Sequence, residues 1–282
     1  MLPGRVVEEL RTLLFSRSPE CGLIASCRDR LEKRRSSAIY ARIEAAVTPD
    51  EGHAPDGMQL WNTPCGPLWA PASERSTLVY CIGEQERGFY GVGSRGVQPG
   101  DVVLDCGANF GTFTRHALNL GAGLVVALEP GQVAAGCLVR SFADQQGVLV
   151  EPVGVWDRDA TLTLVESSVS SSANSFVLPL EQTSGASAVP VRSIDSLVES
   201  LNLPRVDFIK MDIEGAELKA LAGARRTIEK WKPRLAICTY HLPDDPRKIA
   251  ELVRSIRPDY RLEYGFRRKV RGLIIPRVAH FW

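Results

Sequence analysis

What this 282-residue chain lacks narrows its chemistry at once. It carries almost no net charge, since 34 Lys and Arg stand against 33 Asp and Glu for a formal +1. A protein that holds a polyanion by releasing counterions needs a basic excess, so no nucleic-acid partner is expected. There is no C-x-x-C pair, and the seven cysteines accompany only four histidines. Neither a structural zinc site nor a disulfide framework is indicated, and a reducing, cytoplasmic compartment is expected. No apolar run approaches the roughly 18 residues of a membrane span, and Glu8 and Glu9 interrupt the first segment. Neither a span nor a secretory leader is therefore expected. Aromatic residues are sparse at 7%, yet hydrophobic residues reach 44%. That is enough apolar surface to offset ordering entropy and exclude global disorder. The length suits one large α/β core with an attached segment.

The attached segment comes first. Val6, Val7, Leu10, Leu13 and Leu14 fall at helical spacing, as do Leu31, Ile39 and Ile43 within 23–46 with Val47 just after, which predicts a helical region. The basic run from Arg28 to Arg35 reads as a solvated helix face. Leu60-Trp61 and Leu68-Trp69 flank Pro64-Cys65-Gly66-Pro67, the pattern of a small hairpin. We place this helical and hairpin extension at 1–75 and the main domain at 76–282. The main domain opens with a helix over 75–91, and Pro99-Gly100-Asp101 then turns the chain into its first strongly apolar strand.

From there apolar runs alternate with helical stretches: Val102 to Cys106, Leu124 to Leu128, Val148 to Val155, Val206 to Met211 and Leu235 to Tyr240. This predicts a doubly wound, mostly parallel sheet with crossover helices, one of them over 215–230. An insertion at about 160–192 carries its own short strands, Thr161 to Val165, Ser175 to Leu178 and Ala188 to Arg192. Its serine-rich stretch, Ser167 to Ser175, reads as a mobile tip. Tyr260 to Phe266 and Leu273 to Ile275 close the chain as an antiparallel pair.

In such a sheet, ligands bind beyond the carboxyl ends of the strands, and here those ends are chemically dense. The first strand runs into Asp105-Cys106-Gly107-Ala108-Asn109-Phe110-Gly111-Thr112, the second into Glu129-Pro130, the fourth into Lys210-Met211-Asp212-Ile213-Glu214-Gly215 and the fifth into Tyr240-His241. A dinucleotide fingerprint would place glycines at 107, 109 and 112, but Asn109 and Thr112 stand there, which disfavours a pyrophosphate cradle. A glycine turn followed by an acidic residue closing the next strand suits a nucleoside cofactor, with Glu129 accepting hydrogen bonds from ribose hydroxyls.

These residues resemble the FkbM family of class I S-adenosylmethionine-dependent methyltransferases. The likeness rests on Pro99 to Asn109, Glu129-Pro130, Ser193-Ile194-Asp195-Ser196-Leu197, the segment Asp207 to Glu217, Lys232 to Ile237 and Tyr240 to Asp245. It covers roughly residues 80 to 265. The resemblance implies a Rossmann-like sheet of seven strands with a C-terminal antiparallel strand. S-adenosylmethionine would lie over the first two strands and a small-molecule, sugar or polyketide acceptor over the fourth and fifth. It also implies transfer of a methyl group to a hydroxyl.

By position, Gly107, Ala108, Asn109, Phe110, Gly111 and Thr112 are then expected around the methionine part of the cofactor. Asp105 is expected near its amino group or the bound water, and Glu129 with Pro130 at its ribose. His241 is expected to accept the acceptor's proton or else to bond a backbone carbonyl at the strand end, Asp212 to orient the imidazole or the acceptor, Glu214 to be a lesser candidate and Lys210 to steer the acceptor or pair with a surface acid. Asp212 and Glu214 alone are too few ligands to expect a resident metal, with Mg²⁺ the lesser alternative. Two rival readings are a nicotinamide oxidoreductase on the same fold and a non-catalytic cofactor-binding protein. The acceptor's identity and the oligomeric state, a homodimer included, are not legible in the residues.

Overall fold

A computed structural model describes residues 18–21, 36–52, 57–168, 170–178, 182–270 and 273–282. The helix expected over 5–15 and the basic run Arg28 to Arg35 lie outside the described residues. Helix α1 spans 36–46, followed by strands β1 (Thr48–Pro49), β2 (Met58–Asn62) and β3 (Leu68–Pro71) and by helix α2 (Arg75–Glu86). The expected hairpin is present, with Leu60 opposite Trp69 and Trp61 opposite Leu68.

Seven strands form the central sheet. In chain order they are β4 (Val102–Cys106), β5 (Leu124–Leu128), β6 (Val148–Glu151), β10 (Phe208–Met211), β11 (Arg234–Cys238), β12 (Leu262–Val270) and β13 (Leu273–Phe281). Their spatial order is β12-β13-β11-β10-β4-β5-β6. The five from β6 to β11 are parallel, and β13 runs antiparallel to both of its neighbours. The strand order reverses between β4 and β10, the switch point at which a cleft opens beyond the strand ends. The observed sheet is the mostly parallel, Rossmann-like one expected, with its C-terminal antiparallel strand.

Helices cover both faces because the central strands are buried on both. Val102, Leu104 and Cys106 of β4 join Ile209, Met211, Leu235 and Ile237 in one hydrophobic cluster. Val103, Phe208, Ala236 and Cys238 sit in another. This is period-two alternation with no solvated face. A third cluster joins Ile43, Trp61, Leu68, Leu78 and Ile82 to Ala108, Phe110 and Leu138. The described part of the extension therefore shares a core with the turn after β4 and the helix that follows β5.

Three segments depart from the periodicity. Val148 to Val155, expected as one strand, splits at Pro152 into β6 and β7 (Gly154–Val155), and β7 pairs with the insertion's strand β9 (Thr183–Arg192) in a separate sheet with β8 (Ala160–Ser167). A proline supplies no N–H to a ladder, so the chain leaves the main sheet there. The helix expected over 215–230 is two, α3 (Glu217–Ala222) and α4 (Arg225–Trp231). The Asp195 carboxylate accepts from the backbone N–H of Arg226 and Thr227 at 3.0 and 2.9 Å, capping a second start. Ser175 to Leu178 forms no strand beyond a single Val165–Ser175 bridge. The Ser175 hydroxyl accepts from the N–H groups of Val177 and Leu178 at 3.0 and 2.8 Å, which bends the backbone away.

Candidate active site

The cleft beyond β4, β5 and β10 has a volume of about 490 Å³, within the ordinary range for a small-molecule site. Its floor is the turn after β4. Gly107 has φ 77°, and a Cβ there would lie 2.1 Å from the Asp212 carbonyl oxygen. Only glycine lets the turns after β4 and β10 pass this closely. Ala108, Asn109, Thr112, Glu129 and Pro130 all border the cleft. Glu129 is 7% exposed. Its two carboxylate oxygens accept from the backbone N–H of Asn109 and Gly131, each at 2.9 Å. Burial pushes its pKa above the usual carboxylate range despite these bonds.

Phe110 and Gly111 are placed differently from the expectation. Phe110 is buried in the cluster below the turn. Gly111, at φ 85°, admits no Cβ because Phe142 and Leu138 pack against it within 3.0 Å. Both shape the turn and neither borders the cleft.

Asp105 and Lys210 also depart from their expected roles, and the sheet register is the reason. The two face each other across β4 and β10 on the same face. The ammonium lies 3.0 Å from Asp105 Oδ1. It also donates to the carbonyl oxygens of Gly107 at 2.6 Å and Cys106 at 3.3 Å. Lys210 borders the cleft, but an ammonium has three donors and these contacts take all of them, so none is left to steer an acceptor. Asp105 Oδ2 accepts from the Thr114 hydroxyl at 2.7 Å, and the side chain is fully buried. It is not available at the cofactor's amino group. Burial works against the Lys210 charge, but Asp105 and Asp212 together hold its pKa above the ordinary value.

Beyond the ends of β10 and β11, the structure gathers Asp212, Glu214 and His241. The His241 side chain is 2% exposed, with Nε2 3.4 Å from Asp212 Oδ1 and 3.3 Å from Glu214 Oε1. Its Nδ1 lies 2.9 Å from Glu217 Oε1, a third carboxylate. Burial favours the neutral ring, but Glu217 and Glu214 outweigh it and raise the His241 pKa well above its usual value. The imidazole is thus a caged cation that does not border the cleft, and the expected role as proton acceptor is withdrawn from it. Asp212 and Glu214 do border the cleft. Burial raises Asp212, but His241, Lys210 and the Tyr90 hydroxyl together bring its pKa below the ordinary value. Burial raises Glu214, and this increase survives the His241 contact. Asp212, Glu217 and His241 each bring a ligand atom within 4.8 Å of the others. They are the group among the described residues whose donors are close enough to take a divalent cation.

Sequence reasoning missed the walls. The Tyr90 hydroxyl donates to Asp212 Oδ2 at 2.7 Å, and the Tyr240 hydroxyl donates to Oδ1 at 3.3 Å. Tyr80, Cys81 and Glu84 reach the cleft from α2. Tyr80 and Cys81 stand four and three residues before Glu84, spacings that would have shown one helix face had the helix been known to cover the site. Ser170, Ser172, Asn174 and Phe176 of the insertion close the opposite side. The expected mobile tip is tied down where it is described. The Ser170 hydroxyl donates to Glu74 Oε2 at 3.1 Å, and the Ser175 hydroxyl donates to the Glu214 carbonyl at 2.7 Å.

A sequence profile described as the methyltransferase FkbM domain matches residues 105–268. The chain belongs to the FkbM methyltransferase family. It is similar to the hexuronic acid methyltransferase AglP of Haloferax volcanii, with 26% identity over 155 residues, 54% of this chain and 61% of that protein. Its fold is similar to the crystal structure of methyltransferase FkbM from Methylobacillus flagellatus KT, with a TM-score of 0.51 and 21% identity. That match covers 88% of this chain and 59% of the other. The chain thus spans about three fifths of each relative's length. Among the described residues of this FkbM-family chain, no helix is long and apolar enough to cross a membrane.

Proposed function

We propose that this chain transfers a methyl group from S-adenosylmethionine to a hydroxyl of a sugar or another small-molecule acceptor. One observation carries the reading: a single cleft joins Glu129 and the Gly107 turn to Asp212, Glu214 and their tyrosines. Glu129 fits a ribose. Each of its oxygens holds one backbone N–H and keeps capacity for another bond. The turn from Gly107 to Asn109, braced beneath by the Asp105–Lys210 pair, offers backbone to the cofactor's methionine part. When bound, the cofactor supplies a methyl group on a sulfonium, so the barrier falls mainly through in-line placement.

On the acceptor side Tyr90 and Tyr240 fix the Asp212 carboxylate, which remains ionised and orients the acceptor. Glu214 takes the hydroxyl proton, because its raised pKa lies closer to neutrality than that of Asp212. His241 acts through these carboxylates, holding both in place. The sugar acid in the name of the Haloferax relative supports a sugar acceptor.

Calorimetry with S-adenosylhomocysteine and with NADH provides the test. The first should bind and the second should not, and binding of NADH alone would overturn the reading. Transfer of labelled methyl to a panel of sugars, lipids and polyketides then identifies the acceptor.

A further inference from the structure

The cleft does not end at its acceptor wall. Tyr80 and Tyr240 also line a second, more open groove of about 500 Å³, whose other walls are Arg267, Arg268 and Arg277. The two spaces therefore share a boundary. Arg267 and Arg268 come from β12 and Arg277 from β13, which pair antiparallel with Arg267 opposite Pro276 and Arg268 opposite Ile275. Adjacent residues of a regular strand point to opposite faces, yet both Arg267 and Arg268 border this groove. The left-handed φ of 48° at Phe266, just before them, interrupts the regular backbone.

The charges of the two spaces are opposed. Glu84, Glu129, Asp212 and Glu214 border the cleft beside one ammonium, Lys210, which Asp105 balances at 3.0 Å, whereas among the described residues the charged side chains bordering the groove are the three arginines. Glu84 lies 2.6 Å from Arg277 across the boundary and offsets one of them. Arg277 is 9% exposed, and its buried Nε has no hydrogen-bond partner among the described residues. Its guanidinium lies 5.1 Å from the Tyr240 ring centre, and that of Arg268 lies 5.5 Å from the same ring. Arg267 also interacts with Cys21, and Arg268 is exposed. Guanidinium groups on aromatic faces present their planar forks to carboxylate or phosphate oxygens.

We infer that the acceptor is an anionic sugar or small molecule whose carboxylate or phosphate docks on Arg267, Arg268 and Arg277, leaving the methylated hydroxyl at Asp212 and Glu214. This inference rests on the proposed methyl transfer. The charge separation sets the orientation: the acidic end repels the acceptor's anion, and the basic groove receives it.

The experiment is calorimetric titration of the full chain, loaded with S-adenosylhomocysteine, with glucuronate, glucose 6-phosphate and glucose. At least one of the two anions should bind about tenfold or more tightly than glucose. Which of them binds distinguishes a carboxylate from a phosphate. Arg268→Ala should remove that advantage, and Arg268→Lys should restore part of it. S-adenosylhomocysteine affinity should stay unchanged in both variants, which shows that they are folded. Glucose binding as tightly as both anions, no anion binding, or an unaltered preference in Arg268→Ala would each overturn the inference. Failure of S-adenosylhomocysteine to bind would instead remove the methyl-transfer reading. Titration of the unloaded chain with the same anions still reads the arginine groove in that case.

Discussion

Two buried charge clusters lie side by side at the strand ends and serve opposite ends. In the first, Asp105 and Lys210 balance one another at 3.0 Å, and the remaining donors of the ammonium are spent on carbonyl oxygens. In the second, Asp212, Glu214 and Glu217 surround the single imidazole of His241. Its negative charge exceeds its positive charge, and two of its carboxylates border the cleft. A balanced and saturated pair can only brace the fold. An unbalanced one that opens on a cavity can take a proton or hold an acceptor. Strand-end ionisable groups are therefore not interchangeable, and their surroundings decide which of them do chemistry.

The largest effect that would sharpen this contrast is on turnover. Glu214→Gln should lower methyl transfer by about 10²–10⁴-fold while leaving S-adenosylhomocysteine affinity nearly unchanged. Wild-type activity should rise with pH as Glu214 deprotonates, and the variant should lose that limb. A variant that turns over at the wild-type rate would remove Glu214 as the proton acceptor.

Next in size is the bracing pair. Asp105→Asn strands a buried ammonium and should destabilise the protein by about 3–5 kcal/mol, read from urea unfolding. A loss within experimental error would show that Lys210 finds its compensation elsewhere, with Asp212 the nearest source.

Glu129→Ala should weaken S-adenosylhomocysteine binding by about 1.5–3 kcal/mol, the cost of losing hydrogen bonds to a charged group. Calorimetry with unchanged affinity would take Glu129 out of the cofactor site.

The smallest effects separate the two buried histidines. His241 has a raised folded pKa, so its contribution to stability is fully present below its unfolded pKa of about 6.5. That contribution is lost as pH rises through the folded value. His280 is 2% exposed, and burial together with the nearby Arg95 depresses its pKa to about 4. Its contribution is present above the unfolded pKa and is lost as pH falls toward the folded value. Nuclear magnetic resonance of the ring protons should show His241 charged and His280 neutral at pH 7. A His241 resonance titrating near pH 6.5 would break the picture of a caged cation.

The sequence by itself determined the frame. The apolar runs at Val102–Cys106 and Leu124–Leu128 are strands with the expected bounds, because a strand buried on both faces must be apolar at every position that carries no paired charge. The glycine turn and the acidic strand ends were legible for a similar reason. A backbone at positive φ needs glycine, and a carboxylate beyond an apolar run has few structural uses.

Tertiary structure alone decided which of those groups meet a ligand. Asp105 looked like a site residue until the register set Lys210 opposite it, and register is fixed by pairing between strands about a hundred residues apart. His241 looked like a free base because Glu217, one helix start away from Asp212, gave no sign that it would turn back onto the ring. The walls from α2 and the insertion, and the arginine groove, were not legible at all. They come from distant segments brought together by packing, and no local pattern of residues records which surfaces will face each other across a cleft.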